Sequence, residues 1–294
     1  MAAKARAGRF GATQTGGASA APGVEPVLLL GAAPSSAAPA AARPLVLLLH
    51  GYGGSPALLA ESLGLAALAQ RQRWLVLLPA GRRDRQGQRY WRAGPSCCDF
   101  FQAEARGDDA ARLVALLDQL PSAQRVDPHR RYVVGHSNGG HLAYRMACIA
   151  GDRLAAVVSL AGADFGDLPC TPSPRLSVLQ VQSDRDPIVP YLPACVARPG
   201  RRGALCYPGA DATTRRWARR LGCALPRVAA PPLRLAGPTW VSREHHAGCP
   251  SGVEVALWTI HGGGHATATF APLLEAIGTW LADHPRRPRR ATNE

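Results

Sequence analysis

Lysine is almost missing from the 294 residues: Lys4 stands alone among 34 basic residues, and the others are arginine. Against 20 acidic residues the net charge is +14. Such a balance can mark a protein that binds nucleic acid, an anionic membrane or an acidic polymer. Here the arginines are scattered, no helical segment carries a continuous basic stripe with interleaved aromatics, and the one dense run, RRPRR at 286–290, is broken by proline. Nucleic acid is therefore not an expected partner. No apolar run approaches the roughly 18 residues that a membrane-spanning helix needs. The opening MAAKARAGRFGATQTGG carries positive charge but no apolar stretch, so no signal peptide is visible. CxxC pairs are lacking too, the cysteine spacings match no finger or ribbon, and the neighbours Cys97 and Cys98 are poorly placed to share one tetrahedral ion. No metal site is expected on those grounds.

What is present is ordinary for a folded chain, with 47% hydrophobic and 18% charged residues. The length fits one α/β domain with one sizeable core. Eight cysteines, an even number, favour disulfides and an oxidising compartment.

Residues 1–24 are rich in Ala, Gly, Ser and Thr and read as a tail, as does the basic stretch 286–294, leaving 25–285 as the folded domain. EPVLLLG and PLVLLLHG, short apolar runs bounded by Gly and Pro, read as buried strands. A helix is predicted at ALLAESLGLAALAQRQ, then a strand at WLVLLPAG and a polar, Arg-rich loop over 82–107. DDAARLVALLDQL reads as a helix with an acidic start that suits its dipole, and RRYVVGHS as a strand. The helix NGGHLAYRMACIA and the strands LAAVVSLAGA and LSVLQVQSD continue the series. YLPACVARPGRRGALCYPG reads as loop, ADATTRRWARRLG as a helix, and the Pro-rich stretch that follows as room for one extra strand pair. VEVALWTIHGG and FAPLLEAIGTWLADH close the chain as strand and helix. Alternating strands and helices predict a mostly parallel, doubly wound sheet with helices on both faces.

Gly135-His136-Ser137-Asn138-Gly139 matches G-x-S-x-G, in which a serine occupies a strained strand-to-helix turn. With 31 glycines in the chain the pattern alone arises easily by chance. The strand before it and the Ala-rich helix after it make Ser137 a candidate nucleophile. The helix start would favour a developing anion. Such a serine needs a positioned imidazole. His136 is adjacent and diverges on a tight turn; His50 and His141 suit packing or capping; His129, His245, His246 and His284 lie in polar, surface-like contexts. HGGGH remains, and His265 falls on a glycine-rich loop at the carboxyl end of a strand, where doubly wound sheets place their sites. Reading His261 and His265 as a metal pair is opposed by the three glycines between them and the lack of an accompanying glutamate.

The acid partner should lie between serine and histidine in the chain, and QSDRDPIVPY offers Asp184 and Asp186. Spacing leaves both open, the other then serving as a turn or salt-bridge residue, with Arg185 as a partner. For the oxyanion, the residue after the nucleophile, Asn138, supplies one backbone amide. LLLHGYGGS supplies the second, from Tyr52 rather than Gly53.

These motifs together resemble the polyhydroxybutyrate depolymerase and feruloyl esterase group of α/β-hydrolases, in particular its single-domain bacterial esterases. LLHGYGG, YWRAGPSCCDF, VDPHRRYVVGHSNGGHLAYRMAC, DRDPIVPY, TRRWARRLGC and LWTIHGGGH carry the resemblance, over residues 25–285. It implies the α/β-hydrolase fold and a secreted or periplasmic serine hydrolase of carboxylic esters, with no metal or organic cofactor. Aligned with the family's D-x-x-V-P-Y element, Asp186 becomes the acid of a Ser137–His265–Asp186 triad. Trp91 and Tyr191 fall at the substrate cleft, Trp91 fitting a packing role equally well. Discrimination among hydroxybutyrate, feruloyl and acetyl esters is expected from residues 86–100 and 187–250. Cys195 is expected to pair with Cys206 and Cys223 with Cys249. Two rival readings are a prolyl-oligopeptidase-type peptidase, whose triad has the same order, and a silent basic protein that binds polyanions.

Overall fold

The computed structural model describes residues 28–31, 41–98, 107–118, 125–197, 203–235, 237–266 and 270–287. The tail expected over 1–24 lies outside the described residues, as does the end of the chain from 288.

Three strands and two helices open the chain: β1 (Leu28–Leu30), β2 (Arg43–Leu49), α1 (Pro56–Ser62), α2 (Leu65–Arg71) and β3 (Leu75–Leu78). The single helix predicted here is two. Gly64 adopts φ 56° and ψ 36° between them, a left-handed turn that glycine enters without a Cβ penalty. Ser55 caps α1 by accepting the Leu58 amide, and Pro56 stands in its first turn, where its missing N–H costs nothing.

The Arg-rich stretch contains a small hairpin, β4 (Arg82–Arg83) with β5 (Arg89–Tyr90). Then follow α3 (Asp109–Asp118), β6 (Val126–His136), α4 (Asn138–Ala150), β7 (Ala156–Leu160) and β8 (Ser177–Ser183). The stretch predicted as loop before the next helix is also a hairpin, β9 (Ala194–Ala197) with β10 (Ala204–Tyr207). α5 (Ala210–Arg220), β11 (Arg227–Arg234), β12 (Trp240–His246), β13 (Val255–His261) and α6 (Phe270–Asp283) complete the order. β11 and β12 are the extra strand pair, and the register slips between Ala230 and Leu233, at Pro231 and Pro232, which cannot donate to a ladder.

Nine strands form one sheet in the order β1-β3-β2-β6-β7-β8-β13-β12-β11. From β3 to β13 every pairing is parallel, and only the outer strands run antiparallel. Alternate residues of β2 show why both faces are covered. Val46 and Leu48 pack with Leu65 and Leu68 of α2 and with Leu273, Ile277 and Leu281 of α6. Leu45, Leu47 and Leu49 pack on the other side with Leu113 of α3, Leu142 and Met146 of α4 and Trp217 of α5. A parallel strand buried on both faces needs apolar residues at every position, which is why PLVLLL reads as a run.

After β2 the chain builds β3 on one side and later returns to place β6 on the other, so the connections leaving β2 and β6 diverge. The crevice outside their carboxyl ends is the switch point of the sheet, where open α/β folds bind ligands. Four disulfides join Cys97–Cys98, Cys148–Cys170, Cys195–Cys206 and Cys223–Cys249. Among the described residues no helix is long and apolar enough to cross a membrane.

Candidate active site

Ser137 joins β6 to α4 at the switch point, with φ 55° and ψ −118°, a region that a residue with a Cβ enters only under constraint. Its amide donates to the Leu160 carbonyl of β7 at 2.7 Å. The flanking glycines are required by contact. A Cβ on Gly135 would lie 2.0 Å from the Gly139 carbonyl oxygen, and one on Gly139 would lie 2.4 Å from that of Leu49. The turn is thus pressed against its own helix and against the end of β2, which pushes the Ser137 hydroxyl outward.

His265 lies beyond β13 at the end of the loop Gly262–Gly264. Its Nε2 is 2.8 Å from Ser137 Oγ and its Nδ1 is 2.7 Å from Asp186 Oδ2. The Asp186 carboxylate also accepts the amides of Ile188 and Val189 at 2.8 and 2.9 Å and the Gln182 Nε2 at 3.1 Å. Burial opposes its ionisation, but the hydrogen bonds from His265 and the two amides prevail and hold the carboxyl below its usual range. A carboxylate only accepts, so Nδ1 carries the ring proton and Nε2 faces the Ser137 hydroxyl as acceptor. Asp184, left open beside Asp186 by spacing, meets His261 instead, with Nδ1 to Oδ2 at 3.1 Å.

Around the candidate oxyanion site, the Asn138 side chain accepts the Trp91 amide at 2.6 Å and donates to the Trp91 carbonyl at 2.8 Å. Trp91 Nε1 donates to the His50 carbonyl at 2.8 Å. Of the two roles open to Trp91, cleft or packing, its burial fits packing: it is 0% exposed, among Leu47, Leu49 and Leu142, and its hydrogen bonds tie the end of β2 to the start of α4. Gly53 donates to the Arg89 carbonyl at 2.8 Å, which commits that amide to the β4–β5 hairpin. The Tyr52 hydroxyl donates to Asp84 at 2.6 Å, and burial together with this partner pushes its phenol up. His50 donates from Nδ1 to the Gly51 carbonyl and accepts the Gly81 amide at Nε2, so it is neutral; burial pushes it down to about 4. Tyr191 is half-buried, its hydroxyl 2.9 Å from Thr259 Oγ1.

The histidine beside the serine has a task that the sequence did not show. His136 Nε2–H donates to the His265 carbonyl at 3.1 Å, and burial pushes its imidazole down to about 4. One helical turn past Ser137, a cleft is lined by Gly94, Cys97, His141, Arg145, Phe165 and Asp167. One wall comes from the 86–100 stretch and the other from α4 and the loop after β7. Cys97, Cys98 and His141 bring their donor atoms within 4.8 Å of one another. Both sulfurs are held in a disulfide, and a metal ligand must be a thiolate.

A family model described as esterase PHB depolymerase matches residues 30–212. A protein of Nocardia uniformis subsp. tsuyamanensis that carries the name "Putative esterase NocK" is 33% identical over 247 residues, covering 80% of this chain and 69% of that protein. Feruloyl esterase B of Piromyces equi is 28% identical over 233 residues, which is 76% of this chain but 40% of that protein's length. Among solved structures, acetyl xylan esterase from Aspergillus awamori superposes with a TM-score of 0.58 at 13% identity, over 83% of this chain and 90% of that one, and so supports the fold. With the doubly wound sheet and the G-x-S-x-G turn already in view, the family match over most of the folded chain settles its kinship: the chain belongs to the esterase PHB depolymerase family of α/β-hydrolases and is a carboxylic ester hydrolase.

Proposed function

We propose that the chain is a serine esterase in which Ser137, His265 and Asp186 act as the catalytic triad. The observation that carries this is one imidazole bridging the Ser137 hydroxyl at 2.8 Å and the Asp186 carboxylate at 2.7 Å. His265 removes the proton as Ser137 Oγ attacks the ester carbonyl, and Asp186 steadies the imidazolium that forms. The oxyanion rests on the backbone amides of Asn138, at the start of α4, and of Tyr52, Gly53 being engaged elsewhere. His265 returns the proton to the departing alcohol, and water, activated by the same imidazole, releases the acyl group. In this reading Tyr191 belongs to the cleft rim, beside the exposed Ile188 and Leu192 of the loop after Asp186. Four disulfides favour an extracellular or periplasmic setting.

The substrates proposed are short hydroxyalkanoate esters or feruloyl and acetyl esters, the feruloyl arm drawing on the name of the Piromyces equi relative. Hydrolysis rates on hydroxybutyrate oligomers, methyl ferulate and acetylated xylan, measured beside aminoacyl amides, test this. One ester class should lead by at least about tenfold in kcat/KM, the scale on which a fitted pocket discriminates. Faster cleavage of the amides than of every ester would overturn the proposal.

A further inference from the structure

Asp184 and His261 form a second acid–imidazole contact beside the first. β8 and β13 are parallel neighbours, with Ile260 opposite Ser183, so Asp184 and the Gly262–Gly264 loop leave the sheet side by side. Asp184 closes on that point three times. Its amide donates to the Ile260 carbonyl at 3.0 Å, Oδ1 accepts the Gly262 amide at 2.9 Å, and Oδ2 accepts His261 Nδ1–H at 3.1 Å. His261 Nε2 in turn accepts the Ser242 hydroxyl at 2.8 Å, and Trp240 stacks on the ring at 3.9 Å between centroids. Carboxylate, imidazole and hydroxyl follow in the order of the proposed triad. Ser242, however, lies inside β12 opposite Thr259, on extended backbone rather than at the start of a helix. The arrangement suits an anchor, not a second nucleophile.

The anchor matters because of what it holds. A Cβ on Gly262 or Gly264 would meet nothing within 4 Å, so the loop has no side-chain packing of its own at either position, and glycines there are costly to order. His265 must nevertheless stay within hydrogen-bond reach of Ser137, where misplacement by about 1 Å can cost about a hundredfold in rate. Its far end is gripped by Asp186 at Nδ1 and by His136 at the carbonyl. We propose that Asp184 and His261, with Ser242 and Trp240 behind them, are positioning residues that fix the near end of this loop and thereby aim His265 at Ser137. The proposal rests on the triad reading above.

The test is a kinetic split on the full-length, oxidised protein. Asp184→Ala removes both acceptors and should lower kcat on p-nitrophenyl acetate by about 10- to 100-fold with KM within about twofold, and should slow fluorophosphonate labelling of Ser137 by the same factor. Asp184→Asn keeps an oxygen for the Gly262 amide and should stay within about threefold of the parent. Should Asp184→Ala not fold, His261→Ala carries the test, with an expected loss in kcat of about tenfold. A lower Tm with kcat and labelling both within about twofold of the parent, in whichever of these two variants folds, would overturn the positioning role. Failure of the triad reading shows separately, as labelling that persists in Ser137→Ala.

Discussion

At the scale of single residues, Ser137 was legible because everything that makes it a candidate nucleophile is local: a β-branched run, a glycine at 135, a glycine at 139 and a helix behind. The steric contacts explain the pattern and yield a prediction. Gly135→Ala would put a methyl 2.0 Å from the Gly139 oxygen, backbone against backbone, and should cost at least about 3 kcal/mol, read as a fall in the denaturant midpoint with m unchanged. The choice between Asp184 and Asp186 was not legible from spacing, since both leave β8 within three residues and only the path of the loop decides which carboxylate turns inward. Asp186→Asn should lower kcat by about four orders of magnitude by releasing the imidazole into the wrong tautomer, whereas Asp184→Asn should be mild. Equal losses in steady-state turnover would contradict the assignment. The task of His136 was likewise hidden, because it depends on a backbone carbonyl 129 positions away that sequence order does not bring near.

Among the elements, the parallel strands and α4 were legible because a run of apolar residues or a helical period needs no tertiary context to be seen. The hairpin β9–β10 was not. Its strands are short, one is mostly exposed, and the stretch ARPGRRGA between and within them reads as turn chemistry; what makes it a hairpin is register, with Cys195 opposite Cys206 and the two joined. The pairings expected for Cys195–Cys206 and Cys223–Cys249 are the ones present. Replacing Cys195 and Cys206 together by serine should lower stability by about 2–3 kcal/mol, the loop-closure value for a ring of this size, as measured by chemical denaturation without reductant. No change would show that the hairpin is held by its strands alone. The split between α1 and α2 was missed for a simpler reason: apolar periodicity continues across Gly64, while the backbone does not.

For the whole molecule, the sheet order places four separate chain segments, after β2, after β6, after β8 and after β13, at one edge of one layer, which no local pattern encodes. The same layering buries imidazoles. His50, His136 and His141 are each pushed down to about 4 from 6.5, burial being the first cause in every case. The fold therefore refuses protons that the unfolded chain accepts between those values. Stability from this source is fully present above about pH 6.5 and is lost as pH falls toward 4, by up to about 1.4 kcal/mol per pH unit for each histidine. Urea midpoints measured from pH 7.5 to 4.5 should fall with a slope that His141→Gln reduces; a flat profile would contradict the burial argument.

In the proposed mechanism one serine, Ser137, does the chemistry. Single-turnover and steady-state hydrolysis of p-nitrophenyl acetate by purified Ser137→Ala, its fold checked by circular dichroism, tests it most directly. The acyl-enzyme burst should vanish and kcat should fall by several orders of magnitude, on the scale of about 10⁶ seen when a triad serine is removed elsewhere. Turnover by the folded variant within about tenfold of the parent would contradict it.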